Sequence, residues 1–168
     1  MQKSLYLVCP VNQLEAFIQN KFGSHHFFLT ALGTVFRFEE VRYVEKVTDF
    51  LMQDSIDRIT LVHDLNCPFK NRIINHEKGL HSYAEEYLFE MYIDHYYRIN
   101  QFQSREEKAR ELSMIHSENL IHTISNHPLL EKPLRQKGIA LDSLLVDWKT
   151  NQLEKVEESL FLEKISAG

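Results

Sequence analysis

Seven consecutive residues, Arg58-Ile59-Thr60-Leu61-Val62-His63-Asp64, constrain the fold of this chain more than any other stretch. The centre is apolar at neighbouring positions instead of alternating, which is the pattern of a strand covered on both faces. Such cover comes from helices, and helical patterns lie on either side of the run. Before it, Tyr43, Val44, Val47, Phe50 and Leu51 form a stripe at helical spacing within Glu39 to Gln53. Earlier still, Ser4 to Cys9 is an apolar run stopped by Pro10, and Leu14, Phe17, Ile18 and Phe22 mark a helix that Gly23 ends. His26 to Leu32 reads as a further strand, closed by Gly33.

The second half continues the alternation. Leu80 to Asn100 and Ser104 to Ser125 read as long helices, the latter opened by a capping box of Ser104 with Glu107. Pro128 to Lys137 is a short helix ended by Gly138. Ile139 to Trp148 and Gln152 to Val156, joined across Lys149-Thr150-Asn151, predict a last strand and hairpin. Strands alternating with helices predict an α/β fold with a mostly parallel, doubly wound sheet flanked by helices. Neither a repeat nor a Pro/Gly-rich linker divides the chain, so residues 1–168 are expected to form a single domain.

Composition narrows the function classes. The net charge is −5, with Lys and Arg scattered, so a basic stripe for nucleic acid is absent and none is expected as a partner. No apolar run nears the roughly 20 residues that span a bilayer, and Leu5 to Cys9 is too short for a secretory signal. Cys9 and Cys67 are the two cysteines of the chain, which is no disulfide framework, and a cytoplasmic address is the expectation.

Right-handed crossovers favour strand one at the centre, with strands two and three beside it. Ligands of such sheets bind beyond the carboxyl ends of the strands, where the winding reverses. Cys9 ends strand one, and His63, Asp64 and Cys67 lie at the end of strand three, so these groups are expected to converge. Two thiolates with either His63 or Asp64 would give three zinc ligands and leave a fourth position open. Successive strand residues point to opposite faces, so His63 and Asp64 are not expected to serve one metal together. Against this stands a plainer view of two buried, inert cysteines, since their separation lacks the close spacing of strong zinc signatures.

At these residues the chain resembles the β-class carbonic anhydrases. Their Cys-x-Asp-x-Arg motif is matched by Cys9-Pro10-Val11-Asn12-Gln13, and their Ala-Gly-Asn segment by Ala31-Leu32-Gly33-Thr34. Their Gly-His-x-x-Cys-Gly motif corresponds to His63-Asp64-Leu65-Asn66-Cys67-Pro68. Glu118-Asn119-Leu120, Ile124 to Pro128, Ile139-Ala140-Leu141 and Trp148 to Asn151 are similar to the helix, strand and turn that follow in that family.

The resemblance implies a carbonic-anhydrase-like zinc lyase, with Cys9, Cys67 and His63 or Asp64 as metal ligands. Zinc would lower the pKa of its bound water to about 7, and the hydroxide would attack carbon dioxide. Departures are specific. Val11 and Gln13 replace the family's Asp and Arg, Asp64 stands at the histidine position, and His63 lies one residue earlier. The opposing expectation is a metal-free scaffold, or a small-molecule or anion binder, that kept the fold and lost the chemistry. A reversible disulfide between the two thiols is a third. The family's N-terminal helical extension is not matched, because strand one begins almost at once; a homo-oligomer of some other kind remains an expectation. Tyr83, Tyr87, Tyr92, Tyr96 and Tyr97 spread over more than one helix face, and His76, His81, His95, His116 and His122 are expected on helix surfaces or ends.

Overall fold

The computed structural model describes residues 3–156. Five strands form one sheet in the order β2-β1-β3-β4-β5. They are β1 (Ser4–Val8), β2 (Phe27–Thr30), β3 (Arg58–Asp64), β4 (Ala140–Asp147) and β5 (Gln152–Val156). The first four are parallel, and β5 returns antiparallel along β4. Strand one is therefore flanked by strands two and three, and β3 is covered on both faces as its apolar run requires. Leu61 and Val62 point to opposite faces, and both are fully buried. Each is worth roughly 1.5–3 kcal/mol of hydrophobic burial.

Seven helices among the described residues cover the sheet: α1 (Leu14–Phe22), α2 (Val41–Gln53), α3 (Pro68–Ile74), α4 (Tyr83–Asp94), α5 (Tyr96–Asn100), α6 (Arg105–Asn126) and α7 (Pro128–Lys137). One face of the sheet packs Leu5, Leu7, Ile59 and Leu61 against Val44 and Leu51 of α2, Leu120 and Ile124 of α6 and Leu130 of α7. The other packs Tyr6, Val8, Val62, Leu144 and Val146 against Leu14 and Ile18 of α1.

Two elements differ from the sequence expectation. Helix α3 follows β3 directly, with Cys67 at its N-cap and Pro68 at its first position, where a missing N–H costs nothing. Its seven residues are too short to display a helical stripe. The segment from Leu80 to Asn100 is two helices, not one. Ser82 and Glu85 form a capping box that starts α4, and His95, at φ −113 and ψ 23, leaves helical geometry and separates α4 from α5. The expected box at Ser104 and Glu107 is present and opens α6.

Candidate functional site

Beyond the carboxyl ends of β1 and β3 the chain makes two turns that bring the cysteines together. After β1, Asn12 and Gln13 adopt left-handed conformations at φ 65 and 53, which swing the chain away from the sheet and into α1. After β3, Cys67 caps α3. Both sulfurs are buried in one apolar cluster with Val35, Phe69, Leu88, Leu112 and Ile115. The sequence expectation that Cys9 and Cys67 meet at the rim of the sheet holds.

The Cys9 sulfur accepts the backbone N–H of Gly33 at 3.2 Å, and Cys67 and the Val11 N–H are near enough to act on its charge. Position 33 favours glycine, because φ is +64 and a Cβ would press on Leu88 Cδ1 at 3.1 Å. The interaction with Cys67, reinforced by the N–H donors and the Lys70 charge, lowers the Cys9 thiol to about 6 despite its burial. Sharing that interaction, together with burial, pushes the Cys67 thiol well up.

His63 and Asp64 diverge, as alternation along a strand dictates. The Asp64 carboxylate accepts from Asn12 Nδ2 at 2.7 Å and from the Asn66 backbone N–H at 2.8 Å. Burial raises its pKa in spite of these donors. His63 turns to the other side, where Lys70 Nζ is 3.2 Å from its Nδ1 and the His116 ring centroid is 4.9 Å away. Lys70 also donates to Ser113 Oγ at 3.0 Å. Lys70 is 1% exposed, and His63 and His116 are fully buried. Desolvation holds both imidazoles well below their ordinary pKa, and the neighbouring ammonium acts in the same direction. Burial lowers Lys70 too, while Cys67, Asp64 and Cys9, in that order, pull its pKa back up.

These residues do not fit a zinc ion as they stand. A zinc site needs at least three donors turned to one point. Here two sulfurs are neighbours, but Nδ1 of His63 faces Lys70 and the Asp64 carboxylate faces Asn12 and Asn66. Among the described residues no three of His, Cys, Asp and Glu come together to hold a metal. The positive charge nearest the sulfurs is the Lys70 ammonium.

Lys70, Ser113 and His116 were not among the candidate residues of the sequence. Lys70 lies one helical turn after Cys67, a spacing visible only once α3 is known. His116 was expected on a helix surface and is instead in the core. Its signal was its place on the buried stripe of α6, with Leu112 one turn before it and Leu120 one turn after. His76, His81 and His122 are exposed as expected.

No protein-family model and no curated protein matches the sequence. Solved structures do match. A tetrameric β-carbonic anhydrase of Sordaria macrospora superposes with a TM-score of 0.78 at 11% identity, over 92% of this chain and 80% of that one. The β-carbonic anhydrase CafA of Aspergillus fumigatus gives 0.76 at 13% identity, over 99% and 82%. A Coccomyxa β-carbonic anhydrase in complex with acetazolamide gives 0.72 at 10%, over 92% and 72%. Agreement of this extent at such identity lies in the path of the backbone, and the chain has the β-carbonic anhydrase fold.

Proposed function

We propose that this protein is a carbonic-anhydrase-like scaffold whose centre is a metal-free cluster of two thiols, a lysine and two histidines. One observation carries the proposal. Lys70 Nζ lies 3.2 Å from His63 Nδ1 and 3.0 Å from Ser113 Oγ, close enough to both cysteines to shift with their charge. A fixed ammonium and a zinc ion both answer the same need for positive charge beside a buried thiolate. With the ammonium in place, a dication beside it would be repelled. The family's Asp and Arg, which Val11 and Gln13 replace, are also missing as partners for a metal-bound water.

The competing proposal is a zinc lyase with Cys9, Cys67 and either Asp64 or His63 as ligands. The adjacency of the two sulfurs and the lowered pKa of Cys9 favour it. It requires Asp64 to leave Asn12, or the unpartnered Nε2 of His63 to turn to the two sulfurs. Metal analysis of the purified protein, followed by a carbon dioxide hydration assay, separates the two. The scaffold predicts far less than one zinc per chain and no hydration above buffer. One zinc per chain that shields both thiols from alkylation overturns it.

Self-association belongs to the same proposal. Tyr83, Phe89, Ile93, Tyr96 and Tyr97 leave an exposed aromatic and aliphatic surface on α4 and α5, a composition enriched at interfaces. Light scattering of the purified chain tests it, and a monomer at high concentration removes it. No helix among the described residues is long and apolar enough to cross a membrane.

A further inference from the structure

Helix α1 is too short to cover the sheet face it packs on. Its nine residues run roughly 13 Å, whereas the seven of β3 run roughly 23 Å. Leu14 and Ile18 cover Val8, Val62 and Val146, which lie towards the carboxyl ends of β1, β3 and β4. Past Phe22, the last residue of α1, a cleft of about 400 Å³ opens over the amino-terminal halves of those strands. The cysteines lie at the opposite end of the sheet.

The floor of the cleft is polar and shut away from water. Thr60 and Asp142 are direct neighbours across β3 and β4, and are 2% and 4% exposed. One oxygen of Asp142 accepts from Thr60 Oγ1 at 2.6 Å. The other takes both Arg58 Nη1 and Lys155 Nζ, the latter at 3.4 Å. Two cations therefore stand side by side over one carboxylate and leave a surplus of one positive charge. A pair that only tied β3 to β4 would need a single cation. Among the described residues Arg58 has no second acceptor, so the rest of its guanidinium fork is unused.

The wall is aromatic. The rings of Tyr6 and Phe22 stack at 6.0 Å, and His26 meets Tyr6 edge-on at 5.3 Å. His26 adds no donor to the cleft. Its Nδ1 accepts from the Ser4 N–H at 3.3 Å and its Nε2 lies 3.0 Å from the Phe22 carbonyl, which engages both nitrogens of a neutral ring.

We propose that this cleft binds a small organic carboxylate with a flat, aromatic body. The carboxylate bridges Arg58 and Lys155, so that two cations face two carboxylates, and the ring of the ligand lies against Phe22. A monoanion matches the single surplus charge, and two coplanar oxygens match the guanidinium fork. The volume lies within the roughly 300–1,000 Å³ of small-molecule sites. Phe22, 44% exposed, offers an uncovered ring for the apolar part. None of these residues is a candidate metal ligand, so the inference stands apart from the metal question.

The test is calorimetric titration of the purified 168-residue chain with benzoate, with acetate and inorganic phosphate as comparators at one ionic strength. Benzoate should saturate at one per chain and bind about tenfold more tightly than acetate. Lys155→Gln, at a surface position, should weaken benzoate about tenfold, and Arg58→Gln by more. Phe22→Ala should bring benzoate down to the level of acetate and leave acetate unchanged. Circular dichroism confirms that each variant is folded, and Lys155→Gln alone decides the question if Arg58→Gln is not. Absence of saturable benzoate binding overturns the inference, as does unchanged affinity in Lys155→Gln. Phosphate or acetate binding as tightly as benzoate overturns the aromatic carboxylate as the ligand.

Discussion

The Nζ of Lys70 lies 3.2 Å from Nδ1 of His63, and both side chains are shut away from solvent. With Lys70 as an ammonium, which can only donate, Nδ1 accepts and the ring proton of neutral His63 is on Nε2. Nε2 of His63 and both ring nitrogens of His116 have no hydrogen-bond partner. Such groups are tolerated while neutral and are costly when charged.

Acid should therefore destabilise the fold before ordinary carboxylates titrate. The folded-state pKa values of His63 and His116 lie well below 6.5, so below that pH the unfolded chain binds protons that the native chain refuses. Stability falls as pH falls, by about 1.4 kcal/mol per pH unit for each histidine once well below 6.5. Cys9, lowered to about 6, acts with the same sign, because its native thiolate is lost on acidification. Asp64, raised by burial, has the opposite sign and enters at lower pH. Urea unfolding between pH 7 and 5.5 should show a loss of at least about 2 kcal/mol. His116→Leu should remove about 1 kcal/mol of that loss. A flat profile contradicts neutral buried imidazoles.

Replacing Lys70 by serine should make the centre more receptive to metal. The substitution removes the competing ammonium and frees Nδ1 of His63. Zinc affinity should rise on the order of tenfold or more, comparable with changes at groups next to metal ligands. Cobalt titration followed by thiolate-to-metal absorption gives the readout, and equal affinity in both proteins would remove Lys70 as the obstacle.

Ser117 and Ser143 share a 2.6 Å hydroxyl contact that ties α6 to β4, and both are fully buried. Ser143→Ala leaves the Ser117 hydroxyl without its partner and should cost about 1–3 kcal/mol. The double replacement should cost clearly less than the sum of the singles. Additive losses would mean that each hydroxyl finds another partner.

Ser104→Ala should cost about 1 kcal/mol, because the hydroxyl accepts from the Glu107 N–H and the Glu107 carboxylate accepts from Ser104 in return. Denaturant midpoints of the two proteins measure it, and an unchanged midpoint would mean that α6 does not depend on its cap.

Legibility in the sequence followed the range of the signal. The run Arg58 to Asp64, the stripe of α2 and the box at Ser104 are local patterns, and each became the expected element. Alternation of strands and helices was enough for the doubly wound sheet, since handed crossovers leave few strand orders. Helix α3 escaped because seven residues do not complete a periodic pattern. Leu80 to Asn100 was read as one helix because hydrophobic spacing does not register the break at His95. His116 was placed on a surface by residue type, although its place on the α6 stripe already marked it as buried.

The amino-acid order alone determined the layers of the fold, the strand bearing His63 and Asp64, and the meeting of Cys9 with Cys67, because periodicity and crossover handedness act along the chain. Only the tertiary structure decided what surrounds those sulfurs. Gly33 donates to Cys9 from the turn after β2, while Lys70 from α3 meets His63 and Ser113, and His116 of α6 packs on His63. These groups are far apart in sequence, and their charges and hydrogen bonds take effect only once packing removes water from between them.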